Sequence, residues 1–128
     1  MWHADLASHK AGVRLVQAAG ESVTVEMQVL DTMLNGYGIC HGGLLFMLAD
    51  TAFALACNNS GERAVSAGAT IDYLIPAETG DLLVATAKRR AQKGRAGLFD
   101  VTICCRGEVI AEFRGRSRRL TRPSTSAQ

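Results

Sequence analysis

Residues 38–61 read GICHGGLLFMLADTAFALACNNSG, and from Gly42 to Cys57 nearly every position is apolar or small. Asp50 is the exception, set mid-run with Thr51 beside it. The run is too long for one strand, and its Leu, Ala, Met and Phe residues favour helix. Asn58, Asn59, Ser60 and Gly61 supply the stop. A helix that is apolar on nearly all faces is a buried helix. Something must cover it, and that requirement decides the fold.

The flanking sequence supplies the cover. Residues 23–29, VTVEMQV, alternate cleanly, with Val23, Val25, Met27 and Val29 on one face. That is a half-buried strand. Residues 64–75 alternate again, placing Val65, Ala67, Ala69, Ile71, Tyr73 and Ile75 on one side, and Pro76 ends them. Residues 82–91 run to a turn at QKGRAG, 98–105 return to Arg106-Gly107, and a last strand starts at 108 and reaches 114 or slightly beyond. Short turns imply antiparallel hairpins. Residues 6–19 are expected as an amphipathic N-terminal helix. The expected class is α+β: one antiparallel sheet of five strands wrapped around one long central helix. An open curved sheet leaves edge strands that invite pairing with a second copy, so dimerisation is expected. A single domain over 1–120 is expected, with 121–128 as a disordered tail.

Composition narrows the function. With 128 residues, the chain holds one core. The apolar run falls short of the roughly 20 residues that cross a bilayer. The opening MWHADLASHK has no charged leader followed by an apolar stretch, which points to the cytoplasm. Cys40, Cys57, Cys104 and Cys105 show no metal spacing and are expected as reduced thiols, with no metal site. Charge is uneven. Residues 1–87 carry three Lys/Arg against nine Asp/Glu, whereas residues 88–128 carry eleven against three. Lys88, Arg89, Arg90, Lys93 and Arg95 cluster at one hairpin, and Arg114, Arg116, Arg118, Arg119 and Arg122 follow. Only 5% of residues are aromatic and none interleaves the arginines, which argues against nucleic acid. A compact phosphate-bearing ligand fits better.

Asp50 is the candidate base. Interior Asp is unfavourable in a helix and burying an unpaired carboxylate is costly, while an apolar setting raises its basicity. The alternative is an acid that only orders an interface. Gly42 and Gly43 open the helix, where free N–H groups and the dipole can polarise a carbonyl. Eight residues separate Gly42 from Asp50, about 12 Å along the axis and on different faces. One copy cannot bring both to one bond; two antiparallel helices of a two-fold dimer can. His41 either orders the turn or exchanges protons, and Asn35 either forms the loop or orients a water or Asp50. Cys40 beside His41 is a weak nucleophile candidate, since sequence neighbours point apart.

MLNGYGICHGGLLFMLADTAFALACN (33–58), TIDYLIPAETGD (70–81) and FRGRSRRL (113–120) resemble the hotdog-fold acyl-CoA thioesterases, the phenylacetate-pathway branch in particular. The resemblance spans about residues 20–120. It implies dimers whose sheets join edge to edge and pair into homotetramers. It implies Asp50 as base or nucleophile, Gly42 N–H polarising the thioester carbonyl from the opposing subunit, and Asn35, His41 and Thr51 assisting. Ile75 departs from relatives with a basic residue before the proline. The expected reaction is hydrolysis of an aryl-acetyl (phenylacetyl or hydroxyphenylacetyl) CoA to acid and CoA. Coenzyme A is then part of the substrate, with no separate cofactor, and Arg89, Arg90, Lys93 or Arg95 hold its phosphates. The alternatives are a medium-chain thioesterase and a non-catalytic acyl-CoA-binding domain. A hotdog hydratase would need an Asp-x-Asn-x-x-His loop, which is absent.

Overall fold

A computed structural model describes residues 1–20, 22–59 and 61–120. The expected tail at 121–128 lies outside the described residues, as do Glu21 and Ser60. The apolar run forms α2, Gly42–Asn58. It is preceded by a short α1, Leu6–Lys10, and by strands β1 (Arg14–Ala19) and β2 (Ser22–Gln28). Four strands follow α2: β3 (Ala64–Tyr73), β4 (Leu82–Lys93), β5 (Ala96–Cys105) and β6 (Glu108–Arg119). They form one antiparallel sheet in the order β1-β2-β4-β5-β6-β3. The sheet curls around α2, which packs on β2 through β6. This is the hotdog arrangement.

Why the sheet wraps follows from alternation. Val23, Val25 and Met27 of β2, Leu83, Ala85 and Ala87 of β4, and Phe99, Val101 and Ile103 of β5 are all fully buried. They meet Leu48, Ala49, Ala52 and Phe53 of α2. The outer face is polar, with Arg114 paired to Asp100 through two bonds of 2.6 and 2.8 Å. Arg106-Gly107 turns β5 into β6 with both residues at positive φ, 53° and 77°, the pattern of a type I′ hairpin. Arg106 is held there by an ion pair with Asp81.

Three expectations need correction. Residues 6–19 are not one helix. Gly12, at φ 81°, ends α1, and the N–H of Val13 returns to the carbonyl of Ser8 at 3.0 Å. Residues 14–19 then pair with β2, so the sheet has six strands rather than five. Edge pairing supplies hydrogen bonds that the local helical pattern cannot anticipate. The alternation at 64–75 is also interrupted. A bulge between Ser66 and Gly68 shifts the phase, so Val65 and Ala67 face outward while Ala69 and Ile71 pack on the core. The last strand runs to Arg119, five residues past 114, because β6 pairs on both sides.

Candidate functional site

The α2 entry is built by its own loop. Asn35 Oδ1 accepts from the N–H of Tyr37 at 2.9 Å and of Ile39 at 3.3 Å, and Gly38 takes φ 78° to close the turn. His41 is the N-cap: its Nδ1 accepts from Gly43 N–H at 3.0 Å. Its carbonyl accepts from Leu44 at 2.9 Å and Leu45 at 3.4 Å. With His41 N–H bonded to the Met33 carbonyl at 2.8 Å, three of the four orphan donors at the helix start, those of His41, Gly43 and Leu44, are engaged. The fourth, Gly42 N–H, has no partner among the described residues. It opens on a cleft of about 320 Å³ lined by Asn35, Ile39, Cys40, Gly42, Leu45 and the Tyr73–Pro76 segment. Ile75 gives this cleft an apolar wall.

Tyr73 is a site residue that the strand pattern alone did not single out. Its hydroxyl donates to the carbonyl of Gly42 at 2.9 Å, and its ring lies where a Gly42 Cβ would meet it at 3.0 Å. A side chain at 42 would therefore press on the Tyr73 ring, a contact that glycine avoids. The alternation of 64–75 puts Tyr73 on the core-facing side with Ile71, whereas at the end of β3 its ring is 51% exposed and lies over Gly42 instead.

Asp50 does not line this cleft. It sits half-buried on the stripe Gly43, Met47, Asp50, Ala54, which the chain's own sheet leaves uncovered. No described residue donates a hydrogen bond to its carboxylate. Burial, and then the neighbouring Asp5, push its carboxyl above the usual range. Thr51 points elsewhere: it is buried, donates to the Met47 carbonyl at 2.8 Å and lies 2.7 Å from Ser8 Oγ. Cys40 is buried with its thiol pushed up by that burial, and Cys57 is pushed up to about 11. Neither is poised as a thiolate.

The basic set divides. Arg89 packs over the Phe99 ring, 5.6 Å from its centroid, on the inner face. Arg90 turns outward to Asp100 at 3.3 Å. Arg95 bonds the Arg119 carbonyl at 3.1 Å, and Lys93 is exposed beside the turn. These residues lie toward the C-terminal end of α2, since Arg119 pairs with Ala64 and Ala64 is tied to Asn58. The Gly42 cleft lies at the other end. Among the described residues no group of three or more His, Cys, Asp or Glu side chains could hold a metal ion. No helix is long and apolar enough to cross a membrane.

Residues 37–112 match the family model described as "Thioesterase superfamily". The chain is 42% identical over 121 residues to acyl-coenzyme A thioesterase PaaI of Escherichia coli, covering 94% of this chain and 86% of that protein. The chain belongs to the thioesterase superfamily. Among solved structures, the E. coli PaaI protein of the phenylacetic acid degradation operon superposes with a TM-score of 0.92 at 41% identity, covering 95% of this chain and 89% of that one. A Streptococcus mutans protein bound to acetyl CoA gives 0.82 at 26% identity, covering 88% and 91%. Within the region that the family model matches, α2 carries both the Gly42 N–H and the Asp50 carboxylate, neither of which has a hydrogen-bond partner among the described residues.

Proposed function

We propose that this protein hydrolyses an acyl-CoA thioester, with an aryl-acetyl group such as phenylacetyl or hydroxyphenylacetyl as the acyl part. The observation that carries the reading is the pairing of two unsatisfied groups on α2. Gly42 lines the cleft and its N–H has no partner among the described residues, and the half-buried Asp50 carboxylate has no donor among them. A helix-start N–H aimed at a carbonyl stabilises the oxyanion that forms when a thioester is attacked. A carboxylate made more basic by burial either takes a proton from water or attacks the carbonyl itself.

The two groups serve one thioester only across a two-fold axis, with Gly42 from one chain and Asp50 from its partner. The uncovered stripe around Asp50 and the open edges of β1 and β3 support such pairing into dimers, and tetramers by a second pairing. Asn35, whose amide N–H groups have no partner among the described residues, orients a water or Asp50. His41 sets the helix start. Coenzyme A arrives as part of the substrate, so the reading needs no separate cofactor. Its phosphates fall to the basic hairpin, with Lys93 and Arg90 exposed and Arg89 and Arg95 braced against the protein. The apolar wall at Ile39, Leu45 and Ile75 supports an apolar acyl group. The four free cysteines support a reducing, cytoplasmic setting.

The test is free-thiol release from a panel of aryl, short-chain and longer-chain acyl-CoAs, with Asp50→Asn alongside. Asp50→Asn is expected to lose at least about 10²-fold in kcat, the scale of an acid–base group. Near-normal turnover in that variant would remove Asp50 from the mechanism. CoA binding without thiol release in the unaltered protein would favour a binding domain instead.

A further inference from the structure

The chemistry above leaves one buried polar tie unused. Ser8 and Thr51 are 1% and 5% exposed, two of the three buried polar residues among those described. Asp5 Oδ1 accepts from Ser8 N–H at 3.0 Å and Oδ2 accepts from Ser8 Oγ at 2.7 Å. Ser8 Oγ lies 2.7 Å from Thr51 Oγ1, and Thr51 donates to the Met47 carbonyl at 2.8 Å. Capping a five-residue helix needs only the contact with Ser8 N–H. The second carboxylate oxygen is surplus to capping, and it reaches through two buried hydroxyls to the turn of α2 that carries Asp50. The Ser8 proton serves Asp5, so the single Thr51 proton is divided between Ser8 Oγ and the Met47 carbonyl. Thr51 has no proton left for a substrate oxygen, and its hydroxyl works inside this tie.

We propose that Asp5 is a positioning residue for Asp50, acting through the Ser8–Thr51 tie and through its own charge. This rests on the reading of Asp50 as the reacting acid. The tie holds the Met47–Thr51 turn, and with it the direction in which Asp50 leaves the helix. The charge acts separately: a carboxylate facing a second carboxylate is disfavoured as an anion and becomes the stronger proton acceptor. Burial raises Asp50 first and Asp5 adds to it. Asp5 is the charge that the N-terminal arm sets against Asp50. Cys57 lies two turns along α2, with Arg89 of β4 acting on that thiol. His9 lies against Trp2, with ring centroids 4.3 Å apart and the rings tilted by 35°, and is bonded to the Asp5 carbonyl. None of these is altered by the variants below.

Asp5→Asn removes the charge and keeps the capping oxygen for Ser8 N–H, while its Nδ2 takes the place of Oδ2 and donates to Ser8 Oγ, whose proton then turns to Thr51 Oγ1, so α1 and the contacts of the tie persist. Ser8→Ala keeps the charge and cuts the tie. The first readout is a carboxyl-carbon NMR titration of the full chain, with the Asp50 signal assigned by its absence in Asp50→Asn. Asp5→Asn is expected to move the Asp50 midpoint to lower pH; an unmoved midpoint overturns the charge coupling. The second readout is kcat against pH with the best acyl-CoA substrate. Asp5→Asn is expected to move the acid limb to lower pH with KM unchanged. Ser8→Ala is expected to lower kcat, by up to about 10²-fold for a misdirected group, without moving that limb. Wild-type kcat in Ser8→Ala overturns the tie. If Asp50→Asn is inactive while Asp5→Asn and Ser8→Ala behave as wild type, the role of Asp5 fails alone. If Asp50→Asn still turns over, the reading of Asp50 fails, and the NMR midpoint still decides whether Asp5 couples to it.

Discussion

Gly42 and Asp50 are the residues on which the proposed function turns, and each allows a sharp substitution. His41 is at φ −61° and ψ 133°, the extended conformation that a following proline demands. Position 42 is the first helical residue, where proline is favoured and its missing N–H costs the helix nothing. Gly42→Pro should therefore fold while removing a helix-start donor that has no partner among the described residues, with the half-exposed Tyr73 ring yielding a few tenths of an ångström. A fall in kcat of about 10²–10³-fold is expected, the scale of one oxyanion donor. Steady-state kinetics beside a melting curve separate this from unfolding. Asp50 makes the opposite bargain with stability. Its carboxyl is raised above its unfolded value by burial and by Asp5. Stability linked to it is therefore full below the unfolded range and lost as pH rises through the folded value. Asp50→Asn is expected to melt at or above the wild type at neutral pH, with the gap closing in acid. A lower Tm for Asp50→Asn at pH 7 would contradict this.

At the scale of elements, α2 is held by aromatic contacts that need a glycine opposite them. Phe53 sits 5.5 Å from Phe99 and 5.8 Å from Phe113, and a Cβ on Gly115 of β6 would come within 2.8 Å of its ring. Both neighbouring rings are fully buried, so Phe53 cannot swing aside. Gly115→Ala is expected to cost about 1–3 kcal/mol as an overpacking change, read by urea denaturation; a neutral effect would mean that β6 can shift. The sequence makes α2 legible but not its surroundings. The apolar run from Gly42 to Cys57 identifies a buried helix whatever covers it. β1 has no such signature, because its six residues are exposed and only the pairing with β2 makes them a strand. The β3 bulge at Ser66–Gly68 is equally silent, since alternation in sequence assumes an unbroken pleat.

For the whole molecule, the proposed function makes activity a property of two chains, because Gly42 and Asp50 lie apart on one helix. Mixed dimers test this directly. When Gly42→Pro chains pair with Asp50→Asn chains, one of the two shared sites has an intact Gly42 and an intact Asp50, and the other has neither. Co-expressed or re-associated mixtures are expected to recover about half of the wild-type activity per mixed dimer, although each parent is inactive. Sites confined to single chains would recover nothing, since every site would then carry one defect. Dilution below the dimer dissociation constant should abolish activity in the same way.

The sequence by itself determined the helix, the alternation that buries one sheet face on it, and the candidates Gly42 and Asp50. Each of these is written in local order: a 16-residue apolar run, a period of two, glycines at a helix start. Only the tertiary structure decided that the Gly42 N–H at the helix entry is left without a partner among the described residues, that Tyr73 lies over Gly42, and that the Thr51 hydroxyl is committed to Ser8 and Met47. The basic residues near 89–95 read as one cluster in sequence, yet neighbours on a strand point to opposite faces, and a bulge between Arg89 and Ala91 divides them further. Asp5 and Asp50 are 45 positions apart, and no local pattern joins them. Which groups become partners across that distance is set by packing, because a hydrogen bond depends on where side chains end in space rather than on where they begin in the chain.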